Sequence, residues 1–282
     1  MRKSLILLIA LGMAFVGCQK EPDPTPKPTP TPTPTVQPKW VSTEKSNKNA
    51  VLEEFTGQNC GYCPDGHKRA NQILAAHPDN FFPIVIHGGY LSKPEMQCDD
   101  AKAIQSYFAP SGVPYGVVNR GNSNLDRGQW SVKVSQILSE PACVNVAANG
   151  TIDVATRTLK LSVEAYYTDN GENETNYLTV AMLQNNIEAS QSNGSTNPDQ
   201  MLPNGKYNHM HILRDIINED TWGDVISPTT TGTLIEKEYT YTIPDKVGDF
   251  DVDLNNIEFI VFVAEKQHRY ITNACKAEIT KK

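Results

Sequence analysis

The sequence predicts an α/β domain followed by an all-β sandwich, behind an export signal and a proline-rich tether. Strand and helix patterns alternate after Trp40, the hydrophobic period changes to two after Pro141, and proline fills every second position from 22 to 34. A chain of 282 residues suits two ordinary domains once a processed segment is removed. The predicted segments are a signal peptide at 1–17, a lipidated cysteine and linker at 18–39, the α/β domain at 40–140 and the sandwich at 141–282.

Composition narrows the class of function. Hydrophobic residues make up 39% of the chain and charged residues 20%, which is enough apolar surface for packed cores. The formal net charge is −7, whereas proteins that bind nucleic acid hold its phosphates mainly with basic side chains. We therefore expect no nucleic-acid partner.

The first residues carry an export signal. Arg2 and Lys3 precede an apolar run that ends at Val16, which is too short to span a bilayer, and Gly17-Cys18 follows. The run into Cys18 resembles a bacterial lipobox, and the acidic pattern after it resembles the surface-export signals of Bacteroidetes lipoproteins. These resemblances imply that acylated Cys18 anchors the chain in outer-membrane lipid, at the cell surface or on the periplasmic face. An ordinary cleaved signal is the alternative.

A cysteine pair lies where the first strand meets the first helix. Cys60 and Cys63 are separated by Gly-Tyr, and a thiol at a helix N-terminus has a lowered pKa that favours attack on disulfides. Zinc would need two further ligands at metal spacing, which the sequence lacks, so no metal or cofactor is predicted. The predicted strands are 50–56, 81–87 and 112–119, and the predicted helices are 65–76, 99–108 and 129–139.

The region around this pair resembles thioredoxin-like proteins. Glu54 precedes the first cysteine by six residues, as in protein disulfide isomerases, and Val113-Pro114 resembles the cis-proline dipeptide of that fold. The resemblance implies that Cys60 is the nucleophile and Cys63 the resolving thiol, that Glu54 accepts the Cys63 proton, and that Pro114 shapes the substrate groove. Asn59 replaces the usual tryptophan, and a structural disulfide remains the alternative.

A longer stretch, about residues 40–280, resembles Bacteroidetes lipoproteins related to outer membrane protein twenty-eight. The similar residues are the run from Leu52 to Pro64, His87-Gly88-Gly89, and Asn208-His209 leading into Arg214. Membership implies a lipid-anchored surface protein with a thioredoxin-like part and an immunoglobulin-like part, and no settled reaction.

The second half alternates apolar and polar residues, which is typical of sheets with one buried face. A polar stretch at 187–206 is predicted to be functional or disordered, and His209 and His211, two residues apart, would chelate a metal from one strand face or serve as ordinary surface or packing residues. Six strands predict a sandwich: 143–148, 158–168, 177–184, 234–243, 257–264 and 270–279.

The remaining cysteines suggest a structural bridge. Cys143 and Cys275 lie in the first and last strands of the predicted sandwich, so in an oxidising compartment we expect them to pair. Cys98 is then a free thiol or a small buried hydrophobe.

Two functions remain open from the sequence. The first is an envelope thiol–disulfide oxidoreductase or isomerase that uses Cys60 and Cys63 on envelope protein thiols. The second is a non-enzymatic surface lipoprotein, an adhesin or ligand-binding module, in which the pair is only a disulfide.

Overall fold

A computed structural model describes residues 37–121, 124–266 and 269–282, so the signal peptide, Cys18 and most of the linker lie outside the described residues. The described chain contains the helices α1 (Cys63–Ala76), α2 (Asp99–Phe108) and α3 (Trp130–Leu138), and the 3-10 turns Pro94–Met96, Gly194–Thr196 and Pro198–Gln200. Its strands are β1 (Ala50–Phe55), β2 (Phe81–Ile86), β3 (Tyr115–Val118), β4 (Leu125–Asp126), β5 (Val144–Asp153), β6 (Thr158–Tyr167), β7 (Asn176–Gln184), β8 (Ile187–Ala189), β9 (Tyr207–His209), β10 (Ile212–Ile216), β11 (Asp224–Ile226), β12 (Leu234–Thr242), β13 (Lys246–Val247), β14 (Phe250–Asp251), β15 (Ile257–Lys266), β16 (Arg269–Lys276) and β17 (Glu278–Lys281).

One nine-stranded sheet runs through both halves of the chain. Its order is β16-β15-β7-β10-β2-β1-β3-β4, with β11 paired to β7. The junction is β10, which is antiparallel to β7 and parallel to β2 through Ile212 and Val85. The backbone N–H of Val85 also donates to the carbonyl of His211 at 2.8 Å.

A four-stranded sheet of order β12-β6-β5-β17 packs against the larger sheet. The inward side chains of β5 and β6, such as Ile152 and Leu161, join one apolar core with Val180 of β7 and Phe259 of β15. The outward side chains of β5, β6 and β12 are polar and more exposed, which gives the expected alternation.

The predicted fold class, an α/β thioredoxin-like domain followed by an all-β immunoglobulin-like sandwich domain, is wrong. The described chain is mostly β-sheet, with few helices and several sheets, and the largest sheet takes strands from both predicted domains. The physical reason is that β2 presents its free edge to β10, so the backbone groups of that edge pair with the second half. The boundary predicted between residues 140 and 141 falls between α3 and β5.

Both faces of β1 are covered, which explains its continuous burial. Leu52 packs with Ile73 of α1 and Val134 of α3, whereas Phe55 packs with Ile104 of α2 on the opposite face. Because side chains alternate along a strand, Glu54 points to the side of α1. In the described part of the chain, no helix is long and apolar enough to cross a membrane.

Candidate functional site

The cysteine pair forms a disulfide at the start of α1. Cys60 lies in the turn after β1, Cys63 is the first residue of α1, and their Cα atoms are 5.5 Å apart. Cys60 is 4% exposed and Cys63 is fully buried. Pro64 falls in the first turn of α1, where a backbone N–H has no intrahelical partner, so proline is tolerated there.

Glu54 and Pro114 lie against the same turn of α1. A Cβ atom on Gly66 would lie 2.7 Å from Glu54 Oε1 and 2.9 Å from Pro114 Cβ, so only glycine lets these groups approach the helix. The Val113–Pro114 peptide is cis, and the Val113 carbonyl oxygen is 3.5 Å from Cys60 Sγ. The structure thus brings together the four residues assigned a redox role, and their roles stay predictions.

Residues 187–207, hereafter the cover segment, lie over the disulfide. The side-chain amide of Gln191 donates to the carbonyl of Cys60 at 2.9 Å, and the N–H of Ser192 donates to the carbonyl of Gln58 at 2.8 Å. Asn193 is close enough to Gly61 that its Nδ2 would be 3.1 Å from a Cβ placed there. The polar stretch that the sequence left as functional or disordered is ordered against the cysteine pair.

Behind the disulfide lies a group of buried polar side chains, which we call the histidine cluster: Glu54, His67, His87, Tyr207 and His209. His67 shares a hydrogen bond of 2.9 Å with Thr56 Oγ1 and one of 3.0 Å with the Tyr207 hydroxyl. The ring centroid of His209 is 6.5 Å from that of His67 and 5.8 Å from that of His87. Within the described residues, neither carboxylate oxygen of Glu54 has a hydrogen-bond partner.

Burial sets the charge state of the histidine cluster. It raises the pKa of Glu54 well above its usual value. It lowers the pKa of His67 to about 3 and that of His209 to about 4, and it lowers the pKa of His87 as well. Glu54 Oε1 and His67 Nε2 are 3.7 Å apart, and burial favours the uncharged form of each group.

His67 was not among the site residues predicted from the sequence. His67 is 6% exposed and faces the cover segment. The signal that identifies it is its spacing of four residues from Cys63, which places both side chains on one helix face. No periodic signal marks Tyr207 or Gln191, because they reach the site from an irregular stretch.

His209 and His211 do not share a face. His209 is buried in the histidine cluster, whereas His211 Nδ1 pairs with Glu258 Oε1 at 2.5 Å. His211 has a φ of 56°, in the left-handed region, so the strand periodicity breaks between the two residues. Among the described residues, no three His, Cys, Asp or Glu side chains are arranged to hold one metal ion.

The predicted bridge between Cys143 and Cys275 is not formed, and both are free thiols packed against the core. Cys275 lies in β16 of the nine-stranded sheet, where it pairs with Val261 of β15, whereas Cys143 directly precedes β5 of the four-stranded sheet. Cys98 is also free, and burial raises its pKa and that of Cys275 to about 12.

Comparisons with known proteins identify one family and two solved structures with a similar fold. A family model described as outer membrane protein Omp28 matches residues 101–282. A comparison with curated proteins finds no match.

Two solved structures share the fold. HBP35 of Porphyromonas gingivalis is 22% identical with a TM-score of 0.63, over 83% of this chain and 78% of that chain. A protein from Agrobacterium tumefaciens is 12% identical with a TM-score of 0.52, over 83% of this chain and 96% of that chain. A domain of the outer membrane lipoprotein Omp28 from Porphyromonas gingivalis is 15% identical with a TM-score of 0.33, over 50% of this chain and 91% of that chain.

Proposed function

This chain belongs to the outer membrane protein Omp28 family, and from that premise we propose that it is a surface binding module rather than a thiol–disulfide oxidoreductase. The predicted relationship to Bacteroidetes outer membrane protein twenty-eight is confirmed, and so is the predicted location at the outer membrane. Lipid anchoring through Cys18 and the cell surface as the face that the protein occupies are parts of this proposal.

The observation that carries the proposal is the burial of the disulfide beneath the cover segment. A thiol that exchanges disulfides must meet a substrate sulfur in line, which requires exposure. Cys63 is fully buried, Cys60 is 4% exposed, and Gln191 is hydrogen-bonded across the carbonyl of Cys60. A bridge in this environment supports the start of α1 and the cover segment and offers no sulfur to a partner.

The test is the rate at which dithiothreitol reduces this disulfide in the folded full-length chain held in detergent, followed by maleimide labelling and mass spectrometry. We expect reduction to be slow and to accelerate only when urea opens the fold. Background labelling stays low because Cys98, Cys143 and Cys275 are half-buried thiols whose pKa is raised by burial. Reduction as fast as that of an exposed disulfide, together with envelope proteins captured through Cys60 in a Cys63→Ser variant, would overturn the proposal.

Thiol–disulfide exchange is the second candidate, and one observation favours it. Glu54 is fully buried on the α1 side of β1 with a raised pKa, which suits an acid that accepts a proton from a resolving thiol. In that case Glu54→Gln should leave the first attack by Cys60 unchanged and slow the release of the mixed disulfide by about 10²-fold or more. Equal rates in the variant and the parent chain exclude this role.

A further inference from the structure

An open groove of about 770 Å³ lies on the outer face of the four-stranded sheet, away from the disulfide and the histidine cluster. Its floor is formed by the outward side chains of β5, β6, β12 and β17, whose inward neighbours Leu159 and Leu161 are fully buried. The volume lies in the range of ordinary ligand sites. Residues 39–41 cover this face at Glu164, and the side chains that line the groove are half-buried or exposed.

Trp40 stands at the rim of the groove and is 45% exposed. Its backbone is fixed by Glu164 of β6, a residue only 1% exposed, whose carboxylate accepts N–H groups from Lys39, Trp40 and Val41 at 2.9 to 3.0 Å. A carboxylate that accepts several backbone N–H groups is a strong anchor. Glu164 therefore fixes the backbone that carries Trp40 beside a polar floor, and Lys39 Nζ lies 5.5 Å from the centroid of the Trp40 ring.

Six of the lining side chains are neutral hydrogen-bonding groups: Asn149, Thr151, Thr156, Thr158, Ser162 and Thr280. Ser162 Oγ donates to Glu238 Oε2 at 2.8 Å, which orients that carboxylate within the groove, and the Thr151 and Thr280 hydroxyls are 3.2 Å apart on neighbouring strands. Asn149 adds an amide beside them. These groups offer both donors and acceptors at fixed spacing across three strands.

The charges of the groove are mixed. Its carboxylates come from Asp153, Glu238 and Glu278, and its amines from Lys160 and Lys282. A phosphate or another polyanion would meet the carboxylates, and a polycation would meet the lysines. A neutral ligand with many hydroxyl groups meets neither obstacle.

We propose that this groove binds a neutral oligosaccharide, with Trp40 stacked on the apolar face of one sugar ring and the sheet side chains bonded to its hydroxyls. The inference rests on the proposed function of a surface binding module and names its ligand class. Tryptophan suits this role because its ring combines a large apolar face with little conformational freedom. The floor side chains select hydroxyl groups because a hydrogen-bonding group left unpaired on binding weakens affinity.

The experiment uses the full-length chain in a polyoxyethylene detergent, which carries no sugar headgroup. Hexasaccharides of glucose, mannose and xylose are titrated by calorimetry and by the change in tryptophan fluorescence. We expect at least one to bind with a Kd below about 1 mM, and Trp40→Ala to weaken it by at least about tenfold. Trp40→Ala keeps the N–H group that bonds Glu164, so the anchor survives, and a thermal melt checks the fold.

Tyr90→Ala is the matched control, because Tyr90 is an exposed aromatic residue, 92% accessible, outside the groove. It should bind as the parent chain does, and Glu238→Gln should weaken binding without altering the thermal melt. The proposal is overturned if no neutral hexasaccharide binds, if Trp40→Ala binds normally, or if hexagalacturonate binds more tightly than every neutral sugar. Each outcome is independent of the reduction rate at Cys60, which tests the proposed function separately.

Discussion

The side-chain amide of Gln191 donates a hydrogen bond of 2.9 Å to the backbone carbonyl of Cys60, and so joins the cover segment to the disulfide. The same amide also reaches the carbonyl of Gly57 at 3.3 Å. One side chain from the second half of the chain therefore satisfies backbone acceptors in the turn that carries the first cysteine.

Removing this amide should expose the disulfide. We expect Gln191→Ala to speed its reduction by dithiothreitol by about tenfold, because a lost hydrogen bond of this kind changes a local opening equilibrium by about 1 kcal/mol or somewhat more. The measurement is maleimide labelling of Cys60 and Cys63 against time. Gln72→Ala, at an exposed position of α1, is the control and should leave the rate unchanged. Equal rates for the two variants contradict the role given to Gln191.

A methyl group at Gly66 should destabilise the protein. The new Cβ would lie 2.7 Å from Glu54 Oε1 and 2.9 Å from Pro114 Cβ, so strand, helix and proline turn must move apart. We expect Gly66→Ala to lower the free energy of unfolding by about 1–3 kcal/mol in urea titrations. Gly112→Ala, where the nearest atom is 3.9 Å away, is the matched control. A loss no larger than that of the control refutes the packing at this turn.

Acid should unfold the chain through its buried histidines. Burial lowers the pKa of His67, His87 and His209 below 6.5. The stability that these neutral side chains contribute is therefore complete above pH 6.5, and it is lost as the pH falls toward 4. Below pH 6.5, each of these histidines lowers the free energy of unfolding by about 1.4 kcal/mol per pH unit. Glu54 acts in the opposite sense, because its raised pKa gives stability below pH 4.5 that is lost as the pH rises.

The measurement is the free energy of unfolding in urea at pH 7, 6 and 5. Two other titratable groups lie near these rings: Tyr207, whose hydroxyl is 3.0 Å from His67 Nδ1, and Arg214, whose charge also lowers the pKa of His87. His209→Phe should reduce the slope by about one histidine equivalent. His77→Gln, on the half-exposed end of α1, should keep it. A flat profile between pH 7 and 5 contradicts neutral burial.

The buried ion pair between Glu53 and Arg120 gives a further test. Arg120 Nε and Nη2 bond the two Glu53 oxygens at 2.8 and 2.6 Å, and both residues are at most 4% exposed. Arg120→Met leaves a buried carboxylate without its partner, so we expect a loss of about 3–5 kcal/mol in unfolding free energy. Arg127→Met, at a partly exposed pair with Asp65, should lose less than about 1 kcal/mol. We expect the double variant Arg120→Met with Glu53→Met to recover most of the lost stability. If Arg120→Met and Arg127→Met lose similar amounts, the role of the buried ion pair is contradicted.

Local structure was predictable because it follows local patterns. The helix predicted at 99–108 is α2, Asp99–Phe108, and the strand predicted at 50–56 is β1, Ala50–Phe55. Two site residues could be proposed from their spacing, because Glu54 lies within β1 and Cys60 lies in the turn that follows it. Their chemical roles were proposed from a resemblance and are tested by the experiments above.

Long-range pairing was not predictable from the same patterns. Periodicity identifies a strand but carries no information on its partner, and the junction strand Ile212–Ile216 contains the buried Arg214, which hides its apolar alternation. The failed bridge between Cys143 and Cys275 has the same origin, because the pattern of each strand does not show that Cys275 joins the nine-stranded sheet while Cys143 precedes a strand of the four-stranded sheet. The cover segment lacked any period at all, so its contact with Cys60 required the three-dimensional structure.

The junction of β10 with β2 and β7 has a consequence for turnover of the protein at the cell envelope. The described residues form one compact unit, so neither half can unfold without breaking hydrogen bonds at an edge of the other. Proteolysis generally proceeds through partly opened states, and the population of such states falls as the free energy of opening approaches that of global unfolding. A protease should therefore find few cleavable conformations between the folded and the fully unravelled chain, and digestion should follow global stability.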